Sequence, residues 1–471
     1  MNLSHSVRLD EELCQGCTNC LKRCPTEAIR VKKGKAFIIE ERCVDCGACI
    51  RRCPFRAKKA FSDNLSMIQG YDYSVALPAP ALYGQFPKGT SPDDILEGLV
   101  RLGFDACLEV AFAAEAVSRA TRSYRRAHAG EGPLISSSCP AVVRLIRNRF
   151  SDLLDRIIPI KSPMEVAAQL ARRRYAHKIP PGGKLGIFFI SPCAAKVTVT
   201  RDPLGHSDSA VDGVIGFNEI WLPLQEVVSQ IAKEGRIGRK PPVRAEAGFR
   251  GVSWARAEGE AEGAGLGETL AADGIEAVLE VLEAMEDDRL EDIGFLELMA
   301  CPSGCVGGPL TVENPYLARS RIRAIEEDHR ETETCRDASA ESADENPVPP
   351  VPARDAWRHD PETPDVDLGF TRDIEPLAVF SLDKDYEKAV AMMARMDEIT
   401  ERLPGLDCGS CGSPSCKALA EDIVRGHARE TDCVFRLRER IRDLTEEMLE
   451  LEEIMPPGLD TSNPPNRDRC E

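Results

Sequence analysis

The sequence lacks the long apolar runs that membrane-spanning helices need. No stretch is apolar over the roughly 18 residues that a span requires, and the N-terminal residues are polar. An excess of basic residues is also missing, because the formal net charge at pH 7 is −18. These absences argue against a membrane span, a signal peptide and general nucleic-acid binding, so we expect a cytoplasmic location.

Cysteine, by contrast, is abundant. The 471 residues include 19 cysteines, and a chain of this length predicts two to four domains. In a protein without a secretion signal, so many cysteines indicate metal ligation rather than disulfides. All of them fall into spaced groups except three, namely Cys107, Cys335 and Cys470.

Residues 1–62 contain one cysteine motif twice. Each copy has the spacing C-x2-C-x2-C-x3-C and is followed by proline; the copies are Cys14, Cys17, Cys20, Cys24 and Cys43, Cys46, Cys49, Cys53. In two-cluster proteins the fourth cysteine of each run binds the other cluster. We therefore expect one [4Fe-4S] cluster on Cys14, Cys17, Cys20 and Cys53, and another on Cys43, Cys46, Cys49 and Cys24. Paired zinc sites are the alternative, although they seldom have this spacing. The segment resembles bacterial two-cluster ferredoxins, which transfer electrons.

Short apolar runs alternate with helical patterns between residues 63 and 330. The predicted strands are 73–77, 106–110, 134–136, 185–190, 211–215 and 293–299. The predicted helices are 92–102, 114–126, 141–150, 163–174, 219–233 and 274–285. This alternation predicts a two-lobed α/β domain with parallel sheets, in which ligands bind at the carboxyl ends of the strands.

Three of these predicted strands are followed by cysteines. Cys139 and Cys193 each follow one strand, while Cys301 and Cys305 lie in a glycine-rich loop after another. Four thiols at neighbouring strand ends could meet in one cleft, and four thiolates are what a cubane needs. Taken singly, each cysteine is equally well explained by packing, as we expect for Cys107 inside an apolar strand.

Together these motifs resemble the three signatures of the [FeFe]-hydrogenases, over roughly residues 1–320. The resemblance implies that Cys139, Cys193, Cys301 and Cys305 hold a cubane, and that Cys305 bridges to a two-iron subsite with CO and cyanide ligands (together the H-cluster). It also implies that Lys196 hydrogen-bonds a cyanide and that Met299 lines the subsite. Ala79, Pro80 and Ala81 match the wall around it.

Several positions depart from the family pattern. Ser138 stands where active hydrogenases keep a proton-passing cysteine, and Val199 stands where they keep a relay glutamate. A serine hydroxyl is a far weaker acid than a thiol, and valine cannot carry a proton. Ser191, Met164 and Pro309 replace a methionine, a glutamine and a glycine. This pattern resembles the sensory, slow-turnover branch of the family. The stretch 251–267 is rich in Gly, Ala and Glu, and we place no site residue in it.

Two functions are therefore open. The first is sensing H2, or slowly interconverting it with protons and electrons, with a redox partner such as ferredoxin and a separate signalling partner. The alternative is a non-catalytic electron-transfer or cluster-assembly scaffold that lacks the two-iron subsite. Lys196 and Met299 favour the first, whereas Ser138 and Val199 favour the second.

The remainder of the chain predicts a linker and a third cluster. Residues 331–375 are acidic and proline-rich, so we expect a disordered or extended linker. Residues 376–435 contain Cys408, Cys411, Cys416 and Cys433, whose spacing resembles that of small α-helical [4Fe-4S] domains; zinc is the alternative.

A heptad-patterned helix is predicted over residues 436–455, before a tail at 456–471. Two explanations of the heptad pattern are open. The helix either packs back on the cluster domain or forms a parallel homodimer.

Overall fold

A computed structural model describes residues 5–235, 241–338, 356–361, 363 and 366–454. The predicted tail at 456–471, with Cys470, lies outside the described residues. So does the middle of the predicted linker, and the side chain of Cys335 is also outside them.

The N-terminal module consists of two antiparallel strand pairs and one short helix. Strand β1 (Val7–Leu9) pairs with β4 (Lys58–Ala60), and β2 (Ile29–Lys32) pairs with β3 (Lys35–Ile38). Helix α1 (Ala48–Arg52) lies between β3 and β4 in the chain. The two residues that turn β2 into β3 both have positive φ, as in a tight hairpin turn.

Two parallel sheets form the framework of the central domain. The first has the strand order β6–β5–β8–β9, and the second has the order β10–β11–β7. Their bounds are β5 (Tyr73–Pro78), β6 (Ala106–Cys107), β7 (Leu134–Ile135), β8 (Leu185–Ser191), β9 (Gly213–Gly216), β10 (Thr269–Asp273) and β11 (Phe295–Met299). The α/β class with parallel sheets is thus confirmed. Strand β10 was not predicted, because its mostly half-exposed residues give no continuous apolar run.

Ten helices in the described part of this domain surround the sheets. They are α2 (Pro92–Arg101), α3 (Val110–Ala127), α4 (Pro140–Arg149), α5 (Pro163–Tyr175), α6 (Ala194–Arg201), α7 (Phe217–Glu234), α8 (Phe249–Val252), α9 (Gly259–Ala264), α10 (Ile275–Glu286) and α11 (Pro315–Ala338). Four of them begin with proline, which suits a first helical turn because its missing N–H would be unpaired there. No helix in the described ranges is both long and apolar enough to cross a membrane.

The prediction of a disordered or extended linker over residues 331–375 is wrong for the part of that segment that the structure describes. Helix α11 continues through residues 331–338, and residues 366–370 pack against the central domain. The Lys161 amide donates to the carbonyl of Leu368 at 2.7 Å, and Trp357 packs edge-on against Tyr124 with the ring centroids 5.1 Å apart. The scattered apolar residues of this acidic segment are therefore sufficient to dock it, because the central domain supplies the surface that the segment lacks.

The C-terminal domain has three helices, namely α12 (Tyr386–Arg402), α13 (Cys416–Val424) and α14 (Val434–Ile454). Its small core contains Ile399, Leu403 and Leu419 together with the Cys433 side chain. Helix α13 carries the chain from the third cysteine of the motif towards the fourth, as the spacing predicted.

Two buried ion pairs attach this C-terminal domain to the N-terminal module. Arg30 Nε lies 2.7 Å from an Asp422 carboxylate oxygen, and Arg42 pairs with Glu421. The Val31 amide also donates to the carbonyl of Gly412 at 2.8 Å. Only glycine fits at position 412, where φ is +86° and a Cβ atom would lie 1.8 Å from the Val31 oxygen.

The N-terminal module also contacts the loop that follows β11. The Arg51 guanidinium lies 3.5 Å from the carbonyl oxygen of Ala300. Gly47 approaches Pro309 so closely that a Cβ atom at Gly47 would lie 2.9 Å from the proline ring. The Asp45 carboxylate, which accepts from the Thr198 hydroxyl at 2.7 Å, anchors the same module to α6.

We expect Asp422→Ala to weaken this attachment. The substitution leaves the Arg30 guanidinium, 1% exposed, buried without its charge partner, which costs about 3–5 kcal/mol. Thermal unfolding under anaerobic conditions, followed by circular dichroism, should begin at a lower temperature. Glu398→Ala, at an exposed position of α12, is the matched control. Equal unfolding temperatures for the two variants would contradict the role of this ion pair.

Candidate metal centre

The carboxyl ends of strands from both sheets meet at one cavity. Cys139 follows β7 and precedes α4, Cys193 follows β8 and precedes α6, and both Cys301 and Cys305 follow β11. All four thiols line this cavity, together with the residues after β5, Ala79, Pro80 and Ala81. The structure therefore brings together every residue that the sequence placed at the cubane and its wall.

Three of the thiols in this cavity, those of Cys193, Cys301 and Cys305, are strongly desolvated. Burial raises the pKa of Cys301 to about 11 and that of Cys305 to about 12, and neighbouring thiols add to the Cys305 shift. The pKa of Cys193 is also raised well above its ordinary value, first by burial and then by Cys301. As thiolates these groups would require a compensating positive charge, which metal coordination provides.

Cys305 is the most exposed of the four cysteines that line the cavity. Its side chain is accessible to a water-sized sphere, yet it lies deep in the protein, so the accessible surface faces the cavity. The loop that carries it packs closely against its neighbours. A Cβ atom on Gly304 would lie 2.4 Å from the Ala257 amide nitrogen, and one on Gly308 would lie 2.2 Å from the Pro192 oxygen. The glycines therefore keep the backbone tight and leave the space beside the thiol free.

Lys196 also lines this cavity, from the first turn of α6. Burial lowers the pKa of its ammonium, while the thiols of Cys193, Cys305 and Cys139 oppose that change. Within the part of the chain that the structure describes, no carbonyl or carboxylate accepts a hydrogen bond from this ammonium. A buried ammonium without a partner is costly, so a negatively charged group in the cavity fits this side chain. The donor set of four thiols and one lysine thus fits a cubane with an anionic neighbour.

The remaining positions predicted for the site are distributed around the same cavity. Met299 and Ser138 both line it. Met164 and Val199 border a small adjoining cavity that Ser138 and Lys196 separate from the first. Ser191 has a structural contact, because its hydroxyl accepts a hydrogen bond from the Cys193 amide at 3.0 Å.

Among the cavity residues that sequence reasoning missed are two polar-tipped side chains in the stretch 251–267. Trp254 and Glu260 line the cavity, and Trp254 donates from its indole nitrogen to the Ser118 hydroxyl at 2.8 Å. Glu260 occurs among Glu258 and Glu262, and nothing in that local pattern distinguishes the buried glutamate from its neighbours. The many small residues of this stretch could have indicated that it lies near a cluster, but they do not indicate that Trp254 and Glu260 line the cavity.

Glu260 belongs to a hydrogen-bonded chain that starts at Ser138. The Ser136 hydroxyl lies 3.1 Å from the Ser138 hydroxyl and donates to Glu260 Oε2 at 2.6 Å. A second buried carboxylate, Glu297 on β11, accepts from the Ala261 amide at 2.9 Å. Burial raises the pKa of both glutamates, and the charge of Glu260 raises that of Glu297 further. This pair therefore holds a proton at pH values where an exposed glutamate is ionised.

The N-terminal cysteines also form two groups. Cys14, Cys17, Cys20 and Cys53 line one cavity, so the last cysteine of the second motif lies with the first three of the first. Cys24 lies close enough to raise the pKa of Cys46 and Cys49, after burial. This is the crossed arrangement that the repeated motif predicts.

One more residue of the N-terminal module was missed. Lys58 lines the cavity of the first cysteine group, and its ammonium is buried without a hydrogen-bond acceptor among the described residues. Its charge opposes the rise that burial causes in the pKa of Cys20, and it acts in the same direction on Cys49. The ammonium therefore lies close to both cysteine groups.

Three family models match the chain. The model described as iron only hydrogenase large subunit, C-terminal domain, matches residues 72–235 and 224–309. A 4Fe-4S dicluster domain matches residues 6–54, and a model for an Fe-S cluster matches residues 403–435.

Two curated relatives resemble much of the chain. The NADP-reducing hydrogenase subunit HndD of Solidesulfovibrio fructosivorans is 24% identical over 349 residues, which cover 64% of this chain and 56% of HndD. The chain thus spans little more than half the length of that relative. The periplasmic [Fe] hydrogenase large subunit of Nitratidesulfovibrio vulgaris is 25% identical over 367 residues, covering 64% of this chain and 86% of that protein.

Among solved structures, an apo [FeFe]-hydrogenase HydA1 from Chlamydomonas reinhardtii is similar to 65% of this chain and 95% of its own, at 18% identity and a TM-score of 0.43. The family model covers residues 72–309, which is half of the chain, and includes all the strands and cysteines of the central cavity. This chain therefore belongs to the iron-only hydrogenase large-subunit family, with iron–sulfur cluster domains on both sides of its hydrogenase-like domain.

Proposed function

We propose that this protein senses H2, or slowly interconverts it with protons and electrons, at a two-iron site bridged by Cys305. The reaction would be 2H⁺ + 2e⁻ ⇌ H2. The buried Lys196 ammonium is the observation that carries this proposal, because it faces open space beside Cys305 and has no acceptor in the described protein. An anionic ligand of a two-iron subsite would supply that acceptor.

The proposed cofactors are four [4Fe-4S] clusters and the two-iron subsite. Cys139, Cys193, Cys301 and Cys305 would hold the cubane of the central cavity, with Met299 and residues 79–81 enclosing the subsite. The N-terminal module would hold two clusters in the crossed arrangement, and Cys408, Cys411, Cys416 and Cys433 would hold one more. When bound, these groups supply the electron transfer and the reaction with H2.

The contacts between domains support a continuous electron route. The C-terminal cysteine loop packs on β2 through Gly412, and the module's second cysteine loop packs on the loop of Cys301 through Gly47 and Arg51. Electrons could thus pass between the central site and either outer cluster domain without leaving the protein. A ferredoxin-like redox partner and a separate signalling partner remain part of the proposal.

Ser136, Ser138, Glu260 and Glu297 support a proton route that does not need the residues missing from the family pattern. Ser138 cannot replace a cysteine as an acid, but it can pass a proton along hydrogen bonds to Ser136 and Glu260. The raised pKa of the glutamate pair brings it nearer to neutral pH, where a proton relay works best. The weak acidity of serine is consistent with slow turnover.

The second candidate function is an electron carrier or assembly scaffold without the two-iron subsite. The absence of the usual proton-passing residues at Ser138 and Val199 favours it. One experiment separates the two candidates. The protein is produced anaerobically with the hydrogenase maturation machinery, and its infrared spectrum and iron content are measured. We expect CO and cyanide bands and about 18 irons per chain; their absence, with about 16 irons, would establish the scaffold instead.

We expect Glu260→Gln to lower H2 turnover at least tenfold. The amide cannot take up a proton from Ser136, and a relay group contributes about 10²–10⁴-fold. Turnover of the matured protein is measured by hydrogen–deuterium exchange of the gas. Glu258→Gln, on the exposed neighbouring glutamate, should retain wild-type turnover. If both variants match the wild type while the infrared bands are intact, protons use another route.

We also expect Lys58→Met to lower the reduction potentials of the N-terminal clusters. A reduced cluster is more negative, so a buried ammonium between the two cysteine groups stabilises it. Redox titration followed by electron paramagnetic resonance should show midpoints at more negative potentials. Lys59→Met removes an exposed lysine that pairs with Asp10 at 2.7 Å, and it should leave the midpoints in place. Equal shifts in both variants would show that long-range charge alone is responsible.

A further inference from the structure

Helix α14 presents an apolar stripe that nothing covers in the described protein. Its members are Val434, Leu437, Ile441, Leu444, Met448 and Leu451, and each is between 38% and 66% exposed. They recur at alternating steps of three and four residues, which is the heptad spacing of a coiled-coil seam. We call this set the α14 seam.

The seam does not pack back on the cluster domain. The core of that domain is formed by α12 and α13 residues and Cys433, and it includes no residue of the seam. The alternative in which the helix folds onto its own domain is therefore wrong over the described length of α14. An exposed apolar stripe of this length requires a partner, since water contact along it is unfavourable.

The residue types at the seam indicate two helices. The a positions are Val434, Ile441 and Met448, and the d positions are Leu437, Leu444 and Leu451. β-branched residues at a with leucine at d are typical of two-stranded coiled coils. A second copy of the same helix supplies a matching stripe without any other partner.

The flanking charges determine the orientation of such a pair. At the g positions the helix has Arg440 and Glu447, and at the e positions it has Arg438, Thr445 and Glu452. In a parallel pair, Arg440 would face the uncharged Thr445 of the second copy, so its charge would have no opposite partner. In an antiparallel pair with Ile441 opposite Leu444, Arg440 faces Glu447 and Arg438 faces Thr445.

We propose that the protein forms an antiparallel homodimer through the α14 seam. Around the two-fold axis Ile441 packs on Leu444 of the second copy, and the oppositely charged pair of Arg440 with Glu447 occurs twice. Within a single helix Arg440 Nη1 lies 3.9 Å from a Glu447 carboxylate oxygen, at the limit of an ion pair, and both side chains are more than half exposed. The two cluster domains then lie at opposite ends of a paired helix about 30 Å long.

The apolar part of the proposal is tested on the full chain by anaerobic sedimentation velocity over a range of concentrations. We expect a dimer for the wild type and a monomer for Leu444→Asn. The matched control is Leu449→Asn, which changes another exposed leucine of α14 that lies outside the seam and should leave the dimer intact. A monomeric wild type, or equal weakening by the two variants, would overturn the proposal.

The orientation is tested by exchanging charges. Arg440→Glu and Glu447→Arg should each weaken dimerisation severalfold, because each creates two like-charge pairs across the antiparallel interface. The double variant restores opposite charges and should recover the wild-type dissociation constant. A parallel dimer gives a different result, since Arg440 would face Thr445 and Arg440→Glu would have little effect on dimerisation. That pattern would overturn the antiparallel arrangement.

Discussion

The convergence of four thiols on one cavity, where burial raises the pKa of Cys193, Cys301 and Cys305, is the constraint on which the rest of the structure depends. Parallel strands from two sheets end at the same place, and each loop that follows brings a cysteine to it. Such thiols ionise only if positive charge reaches them, from metal ions or from groups such as Lys196. The tight glycine contacts around Cys305 and the enclosing residues 79–81 shape this cavity.

The N-terminal module also has a buried lysine beside its cysteines. Lys58 is buried between two groups of cysteines, much as Lys196 is buried beside the central group. In both cases a lysine takes a position where an unpaired ammonium would be costly. No hydrogen-bond acceptor among the described residues compensates either ammonium. Clusters bound by thiolates would provide the compensating negative charge, and this is consistent with the cluster domains that the family models match.

Electron and proton handling differ in how closely they follow the family. The proposed electron route follows the cysteines and the contacts between their loops, from Gly412 through the N-terminal module to the loop of Cys301. The positions usually assigned to protons do not follow the pattern, since Ser138 and Val199 replace stronger proton carriers. In their place the structure has two buried carboxylates. Glu260 accepts a hydrogen bond from Ser136, and Glu297 accepts one from the Ala261 amide.

The sequence by itself determined the cysteine groups, the α/β class and most strands that lead to the central cavity. It could do so because cluster ligation requires fixed spacings and parallel strands require continuous apolar runs. It could not identify Glu260, Glu297, Trp254 or Lys58, because burial of a polar side chain depends on what packs over it from distant parts of the chain. Docking of the segment around Trp357, and exposure of the α14 seam, were likewise decided only by tertiary contacts. Apolar residues have the same local pattern whether or not a surface is available to cover them.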